Sequence, residues 1–430
     1  MHIRDLNGKT VCVLGFGREG QATLKALERE TPEAHITIAD ERADVTLPED
    51  SRHRLQIGAG WLQNLGVFDV IIKSPGIPPK PEFDAVRGKI TNATQIFLDT
   101  VAEAGSFVIG VTGSKGKSTT SSLLHAILQT AGLDAFLVGN IGIPALDALP
   151  KAAEGTFFVC EMSSYQLSEI TRSPQIAVIT SFFPEHLDYH GSLDAYWEAK
   201  ARITQFQTPD DLVFFPESSE GAAAMAERSP GKKVPVTDDQ AAVALELTKL
   251  IGSHNRTNMA LACAVARFLK VQESTIVEAC TSFQGLPHRL QSLGIVDGIE
   301  WVDDAISTTP ESAIAAIDAL GDRVTTIILG GQDRGSDFQE LAQRIRKSLI
   351  HRVILFPGSG ERIGEALKKT RFKGDVFPVT TMEEAVDIAR KKTPQGHICL
   401  LSTASPSYGM FKNFEEKGDR FAACVRKGQA

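Results

Sequence analysis

Residues 107–120, Phe-Val-Ile-Gly-Val-Thr-Gly-Ser-Lys-Gly-Lys-Ser-Thr-Thr, hold the side chains best suited to phosphate chemistry. An apolar run leads into Gly113 to Thr119, and a helical pattern, Ser121 to Leu128, follows. A glycine-bearing loop between a strand and a helix turns backbone N–H groups toward phosphate oxygens, and the helix N-terminus adds partial positive charge. Gly113 and Gly116 allow that curl, Lys117 reaches the terminal phosphates, and Ser118 is placed to ligate Mg²⁺. The loop is shorter than the usual G-x-x-x-x-G-K-[ST], because Val111 stands where that pattern has its first glycine. An ordinary Gly/Lys/Ser turn is the plainer reading, disfavoured by the correct order of strand, loop and helix.

Further candidates lie downstream. The run Thr156–Cys160 delivers Glu161 at a strand end, and Ile176–Thr180 leads into Pro184-Glu-His-Leu-Asp188. A carboxylate and the His186 imidazole at one sheet edge beside a phosphate loop suit a divalent cation held against nucleotide phosphates. A structural histidine is the commoner case, and His190 is near enough to be confused with His186. In the helix from Ser192 to Ile203, Leu193, Tyr196, Trp197 and Ile203 form an apolar stripe, and Lys200 falls on it. Spacing alone favours a lysine whose stem is covered and whose ammonium reaches water. The alternative is a buried neutral amine that reacts with CO₂ to give a metal-supporting carbamate. Gly252 to Asn258 is dense in amide and imidazole groups at a helix start, fit to hold an adenine or to cap the helix through Asn255.

The first hundred residues carry a second glycine pattern. Thr10 to Gly15 reads as a buried strand, Gly15-Phe-Gly-Arg-Glu-Gly20 is a full G-x-G-x-x-G, and a strand from His35 ends at Asp40, where a dinucleotide fold places an acid on a ribose. Alone, this suggests an NAD enzyme; physically, the loop cradles any diphosphate, including that of a UDP-sugar. A strand from Phe68 to Lys73 runs into Ser74-Pro-Gly-Ile-Pro-Pro79, either a ligand loop at a strand end or a simple turn.

These groups need several sheets to position them, and the chain is long enough. Its 430 residues predict two to four domains. Strand and helix alternate throughout, so the expected class is α/β with mostly parallel sheets. Gly285-Leu-Pro-His marks a boundary, after which Trp301 to Asp304, Thr325 to Leu329, Val353 to Phe356 and Ile398 to Leu401 outline a further α/β unit. Apolar runs too short to span a bilayer and a polar start predict a soluble, cytoplasmic protein. The net charge of −8, without a basic tract, argues against nucleic acid. Six scattered cysteines with no C-x-x-C pair predict buried reduced thiols.

Taken together, Gly113 to Thr119, Gly139-Asn-Ile-Gly142, Glu161-Met-Ser-Ser-Tyr-Gln-Leu167, Glu185 to Asp188, Ala199 to Ile203, His254 to Asn258, Gly285 to Arg289 and Phe411-Lys-Asn-Phe-Glu415 resemble the Mur ligases, in order along nearly the whole chain. Within that family the resemblance is closest to members that add D-glutamate to UDP-N-acetylmuramoyl-L-alanine. It implies a Rossmann-like domain for the UDP-sugar (1–100), a central P-loop ATPase (101–286) and a C-terminal Rossmann-like domain for the amino acid (287–430). It also implies a monomer acting on small molecules in peptidoglycan precursor synthesis, with ATP, two Mg²⁺ ions and a carbamylated Lys200.

The implied chemistry is phosphorylation of a carboxylate by ATP, then attack of an amine on the acyl phosphate. By resemblance, the catalytic set is Lys117, Asn140, Glu161, His186 and Lys200, with Ser118, Glu161, His186 and Lys200 supporting metal. ATP would meet Gly113, Ser114, Lys115, Gly116, Lys117, Ser118, Thr119, Asn258, Arg289 and Asp304. The UDP-sugar would meet Arg18, Glu19, Asp40, Glu41, Arg42, Ser74, Pro75, Gly76 and Asn140. Glutamate would meet Thr308, Arg334, Ser407, Tyr408 and Phe414. Here the chain departs from the family: Ile306 stands in place of a lysine, Arg334 in place of another, and Tyr408 in place of a smaller side chain. Lys and Arg present different donor geometry, which opens L-glutamate as the alternative; the resemblance over the whole chain ranks D-glutamate first. A folylpolyglutamate synthase-like ligase is a further alternative. An NAD oxidoreductase would leave the P-loop unused, and a non-catalytic nucleotide-binding protein would need no Lys200.

Overall fold

A computed structural model describes residues 1–49, 51–241, 250, 252 and 254–427. Among these, the residues of Met1–Thr248 and His254–Phe283 form one compact unit, and those of Lys249–Ser253 and Gln284–Ala430 form another. The architecture is α/β with three mostly parallel sheets, two in the first unit and one in the second.

The first sheet contains β1 (Thr10–Leu14), β2 (His35–Asp40), β3 (Arg54–Ile57), β4 (Val70–Lys73) and β5 (Ile90–Thr91), all parallel in the order β3-β2-β1-β4-β5. Its middle strands are apolar on both faces, as a sheet covered on both sides requires. The sequence reading missed β3 and β5, because Arg54-Leu-Gln-Ile57 is half polar and β5 spans two residues. Strand order reverses between β1 and β4, so the Gly15 and Ser74 loops meet at their C-terminal ends. Helix α1 (Arg18–Glu30) leaves this edge and buries Ala22, Leu24, Ala26 and Leu27.

The second sheet contains β6 (Phe107–Thr112), β7 (Ala135–Gly139), β8 (Phe157–Glu161), β9 (Ile176–Ile179), β10 (Leu212–Pro216) and β11 (Lys232–Val236), parallel in the order β11-β10-β9-β6-β8-β7. The phosphate loop leaves β6, with β8 and β9 on either side. Helix α2 (Lys117–Thr130) follows the loop, α3 (Leu193–Gln205) is capped by the Ser192 hydroxyl, and α4 (His254–Phe268) packs on α2. Of the segment Gly252 to Asn258, Ser253 lies outside the described residues. Asn255 sits inside α4, not before it, so it does not cap the helix.

The third sheet orders β12 (Gln291–Val296), β13 (Ile299–Asp303), β14 (Val324–Gly331), β15 (Arg352–Gly358), β16 (Asp375–Pro378) and β17 (Ile398–Leu401) as β12-β13-β17-β14-β15-β16. Only β12 runs antiparallel, joined to β13 through Asp297-Gly298, whose φ values of +55° and +76° suit a tight hairpin. Helix α5 (Phe414–Arg426) is capped by Asn413 and buries Phe421 and Val425 against this sheet. All six cysteines are buried free thiols. No helix among the described residues is long and apolar enough to cross a membrane.

Candidate functional site

The loop after β6 needs glycine at two points. Gly113 has φ +149°, and a Cβ there would lie 2.0 Å from Thr180 Oγ1. Gly116 has φ +88°, and its Cβ would lie 2.3 Å from Asn258 Oδ1. Asn258, buried on α4, thus rests directly on the loop. Ser181, after β9, shapes the other side: its carbonyl accepts from Ser114 N at 3.0 Å and its hydroxyl from Lys115 N at 2.9 Å. Lys117 Nζ donates to the carbonyls of Gly113 and Ser114, both at 2.8 Å, which curls the ammonium over the loop. Lys115 pairs with Glu185 at 2.6 Å. Ser118 and Thr119 open α2, where unpaired amides and the helix dipole favour an anion.

Beside the loop, β8 ends in Glu161, fully buried. The register pairs Glu161 with Gly139, so Asn140 reaches across and donates from Nδ2 to Glu161 Oε1 at 2.7 Å. Glu161 Oε2 is buried with no partner among the described residues. A buried carboxylate oxygen left unpaired is costly, and a cation is the ligand that offsets it. Carboxylate oxygen from Glu161 and hydroxyl oxygen from Ser118 at the start of α2 are donor types that fit Mg²⁺.

His186 adopts φ +55° before the one-turn helix Leu187–His190. Its ring faces Tyr165 at 5.1 Å and Tyr196 at 6.1 Å. Burial holds the imidazole below its ordinary value despite Glu185, so it is neutral and able to ligate at neutral pH. Lys200 corrects the sequence reading in which its ammonium reaches water: only 1 % of the residue is exposed. Its Nζ donates to Gly113 O at 2.7 Å and lies 4.9 Å from the Tyr196 ring centre. Tyr196 OH in turn shares a hydrogen with Ser114 Oγ at 2.9 Å. Burial first, and Lys117 second, push the Lys200 amine well below the usual lysine range. The stripe itself is partial, since Leu193 is exposed. Among the described residues no three His, Cys, Asp or Glu side chains gather into a metal cluster. The metal-supporting set expected from the sequence instead mixes a hydroxyl, one carboxylate, one imidazole and a modified amine.

At the first sheet's edge, Asp40 does not face outward. Its Oδ2 accepts from Phe16 N at 2.6 Å and its Oδ1 from Arg42 N at 2.9 Å and Arg42 Nε at 3.1 Å. Burial raises this carboxyl, but the Arg42 hydrogen bond and the two amides outweigh it and leave it below the usual range. Asp40 therefore braces the Gly15 loop, a different task from the ribose contact of a dinucleotide enzyme. Glu41 and Arg42 are exposed beside it. Ser74 Oγ donates to Gly15 O at 2.9 Å, joining the two loops of the crevice. Arg18 donates to Gly142 O and Glu19 accepts from Gln166 Nε2 at 2.6 Å, so both point to the second sheet. The sequence reading overlooked Lys73 and Tyr189, which also join these sheets; a lysine ending the apolar run Val70-Ile-Ile-Lys73 was the available signal.

In the second unit, Asp304 is buried and accepts from Ser402 Oγ at 2.7 Å and Leu290 N at 3.2 Å. Burial lifts its carboxyl to about 6. Arg289, which precedes Leu290, is exposed, and Thr308 is half-buried. The Arg334 guanidinium lies 5.8 Å from the Tyr408 ring centre, bringing together two of the expected amino-acid contacts. Ser407 Oγ is buried and has no partner among the described residues. The Phe414 ring meets His288 edge-on at 6.2 Å, and His288 Nδ1 hydrogen-bonds Asp303 Oδ2 at 2.8 Å. Lys417, absent from the expected set, is buried with Nζ donating to Thr403 Oγ1 at 2.6 Å.

Residues 111–245 match the Mur ligase middle domain, and residues 288–404 match the Mur ligase, glutamate ligase domain. The sequence is 36 % identical to a UDP-N-acetylmuramoyl-L-alanine–L-glutamate ligase of Salinispora tropica, over 99 % of each chain. It is 30 % identical to a UDP-N-acetylmuramoylalanine–D-glutamate ligase of Symbiobacterium thermophilum, over 96 % of this chain and 97 % of that one. In fold it is similar to UDP-N-acetylmuramate-alanine ligase MurC of Thermotoga maritima, with a TM-score of 0.61 and 18 % identity over 98 % and 100 % of the two chains. With two domains matched in order and identity of this level running the length of the sequence, the chain belongs to the Mur ligase family and is an ATP-dependent acid–amino-acid ligase.

Proposed function

We propose that this enzyme joins the amine of L-glutamate to the alanyl carboxylate of UDP-N-acetylmuramoyl-L-alanine, a step in peptidoglycan precursor synthesis. The observation that carries this reading is full-length similarity, at 36 % identity, to a ligase named for L-glutamate, against 30 % for one named for D-glutamate. That reverses the order expected from the sequence, and the changes at Ile306, Arg334 and Tyr408 agree with the reversal. The crevice between the Gly15 and Ser74 loops supports a sugar nucleotide over a folate acceptor, and the inward Asp40 speaks against NAD.

In this reading residues 1–100 hold the UDP-sugar, 101–286 the ATP and 287–430 the amino acid. Asn140, held by Glu161, is placed for the acceptor carboxylate, and Lys117 draws charge from the γ-phosphate as it transfers. The carboxylate oxygen attacks that phosphorus, ADP leaves, and an acyl phosphate forms. The glutamate amine then attacks the carbonyl carbon; the C–N bond forms, the C–O bond to phosphate breaks, phosphate departs and the amine sheds a proton to solvent. Bound Mg²⁺ would neutralise phosphate charge, with Ser118 and Glu161 holding one ion and His186 with Lys200 supporting a second. The Lys200 amine, pushed toward its neutral form by burial, is chemically able to add CO₂, which makes a carbamate the reading we favour there. Ser407, Arg334, Tyr408, Thr308 and Phe414 form the amino-acid end, and Asn258, Arg289 and Asp304 the nucleotide end. Competition between D- and L-glutamate at equal concentration, with UDP-N-acetylmuramoyl-L-alanine, Mg²⁺ and ATP, tests the reading. L-product is expected; D-product would restore the first ranking, and no product with either would refute the glutamate assignment.

A further inference from the structure

Tyr189 sits three residues after His186, in the one-turn helix Leu187–His190, yet its hydroxyl leaves the second sheet altogether. Its single proton is shared between Pro75 O at 2.7 Å and Ile77 O at 3.0 Å, both in the Ser74 to Pro79 loop of the first sheet. The same Ile77 carbonyl accepts from Lys73 Nζ at 3.2 Å, and that ammonium lies 3.7 Å from Glu169 of the second sheet's flank. Two donors thus converge on one loop carbonyl, and each leads back to residues 165–190.

The other end of Tyr189 leads to the metal side. Its ring packs against Tyr165 with centroids 4.1 Å apart and the planes tilted by 39°, Tyr165 faces His186 at 5.1 Å and His190 at 5.5 Å, and His190 Nε2 meets Ser164 Oγ at 3.0 Å. The left-handed backbone at His186 is a conformation that a non-glycine residue keeps only when its surroundings hold it. The Tyr165 ring, with Tyr189 packed on it, lies against that turn. A phenol anchored on the loop and a ring anchored beside His186 make one side chain part of both sites.

We propose that Tyr189 is a positioning residue that fixes the Ser74–Pro79 loop for the sugar nucleotide and, through Tyr165, the His186 turn beside the phosphates. This rests on the function proposed above. Removing only the hydroxyl loosens the loop and spares the ring contact; removing the ring releases both. Loss of a shared hydrogen bond of this kind corresponds to roughly a fivefold change in an equilibrium constant.

The test compares Tyr189→Phe and Tyr189→Leu with the wild type in steady state, and titrates each with UDP-N-acetylmuramoyl-L-alanine in the absence of ATP. For Tyr189→Phe we expect the KM and the dissociation constant of the UDP-substrate to rise by roughly fivefold, with kcat and the KM values for ATP and glutamate within about twofold. Tyr189→Leu should add a fall in kcat and a higher Mg²⁺ requirement. An unchanged UDP-substrate constant in Tyr189→Phe would overturn the proposal. So would a uniform rise in all three KM values with a lowered Tm, which marks a purely structural residue. A wild type that neither binds nor consumes the UDP-substrate would instead refute the proposed function.

Discussion

Lys200 and Lys417 are both about 1 % exposed, each near the C-terminal edge of a sheet, and they differ in what surrounds the amine. Lys200 faces a carbonyl, an aromatic ring and a second lysine, so burial and like charge together drive it well below the ordinary range. Lys417 is lowered by burial to about 8, because the nearby Asp303 and Asp304 carboxylates oppose the loss of charge. Burial alone therefore does not make a reactive amine. Lys200 is pushed well toward the neutral amine, whereas at pH 7 Lys417 remains mostly an ammonium that steadies Thr403.

The sharpest break in that comparison comes at the groups that act with Lys200. Lys117→Ala or Glu161→Ala should lower ligation by at least about a thousandfold while circular dichroism stays unchanged, since each removes charge stabilisation needed as phosphoryl transfer proceeds. Lys200→Ala should come close to the same loss, and millimolar short-chain carboxylic acids should restore part of it by replacing the carbamate. Lys417→Met should show no such rescue. Under ¹³C-labelled bicarbonate, a carbamate resonance should appear in the wild type and in Lys417→Met but not in Lys200→Ala; a signal that persists in Lys200→Ala would place the modification elsewhere.

A smaller effect is expected at the amino-acid end. Ser407→Ala removes a buried hydroxyl that has no partner among the described residues. Its expected consequence is a rise of about tenfold in the KM for glutamate, with the KM for ATP unchanged, as befits one lost hydrogen bond to a charged ligand. An unaltered glutamate KM would remove Ser407 from the pocket.

The phosphate loop, Glu161 and the α/β alternation could be read in the sequence because each is local: glycines and a lysine at fixed spacing, or an apolar run ending in an acid. Asn140 against Glu161 depends on the register of β7 and β8, and the inward turn of Asp40 depends on Phe16 folding back, so neither is visible in spacing. Lys200 misled because a helical stripe shows which face is covered, not whether a lysine stem is long enough to escape it. Tyr189 and Lys417 were missed for the opposite reason. Their partners lie 112 and 14 residues away on other elements, and nothing nearby in sequence sets them apart.

Asp304 offers the smallest and most discriminating test, because here burial should act against stability. Its folded-state carboxyl is raised from 3.8 to about 6, first by desolvation, with Ser307, Ser402 and the Leu290 amide only partly compensating. Between these values the unfolded chain has already released the proton that the folded chain keeps. The unfolded state therefore binds fewer protons, and stability falls as pH rises from about 4 to about 6. Above that window the folded protein carries a buried carboxylate at a disadvantage of about 3 kcal/mol. Asp304→Asn preserves an acceptor for Leu290 N and removes the charge. Its Tm should exceed that of the wild type at pH 7, and the difference should vanish near pH 4, while ligation falls because a charged contact for the nucleotide is gone. Equal Tm values at pH 7 would mean that Asp304 is stabilised in the fold by charges beyond its three hydrogen-bond donors. A higher Tm with full activity would remove it from the nucleotide site.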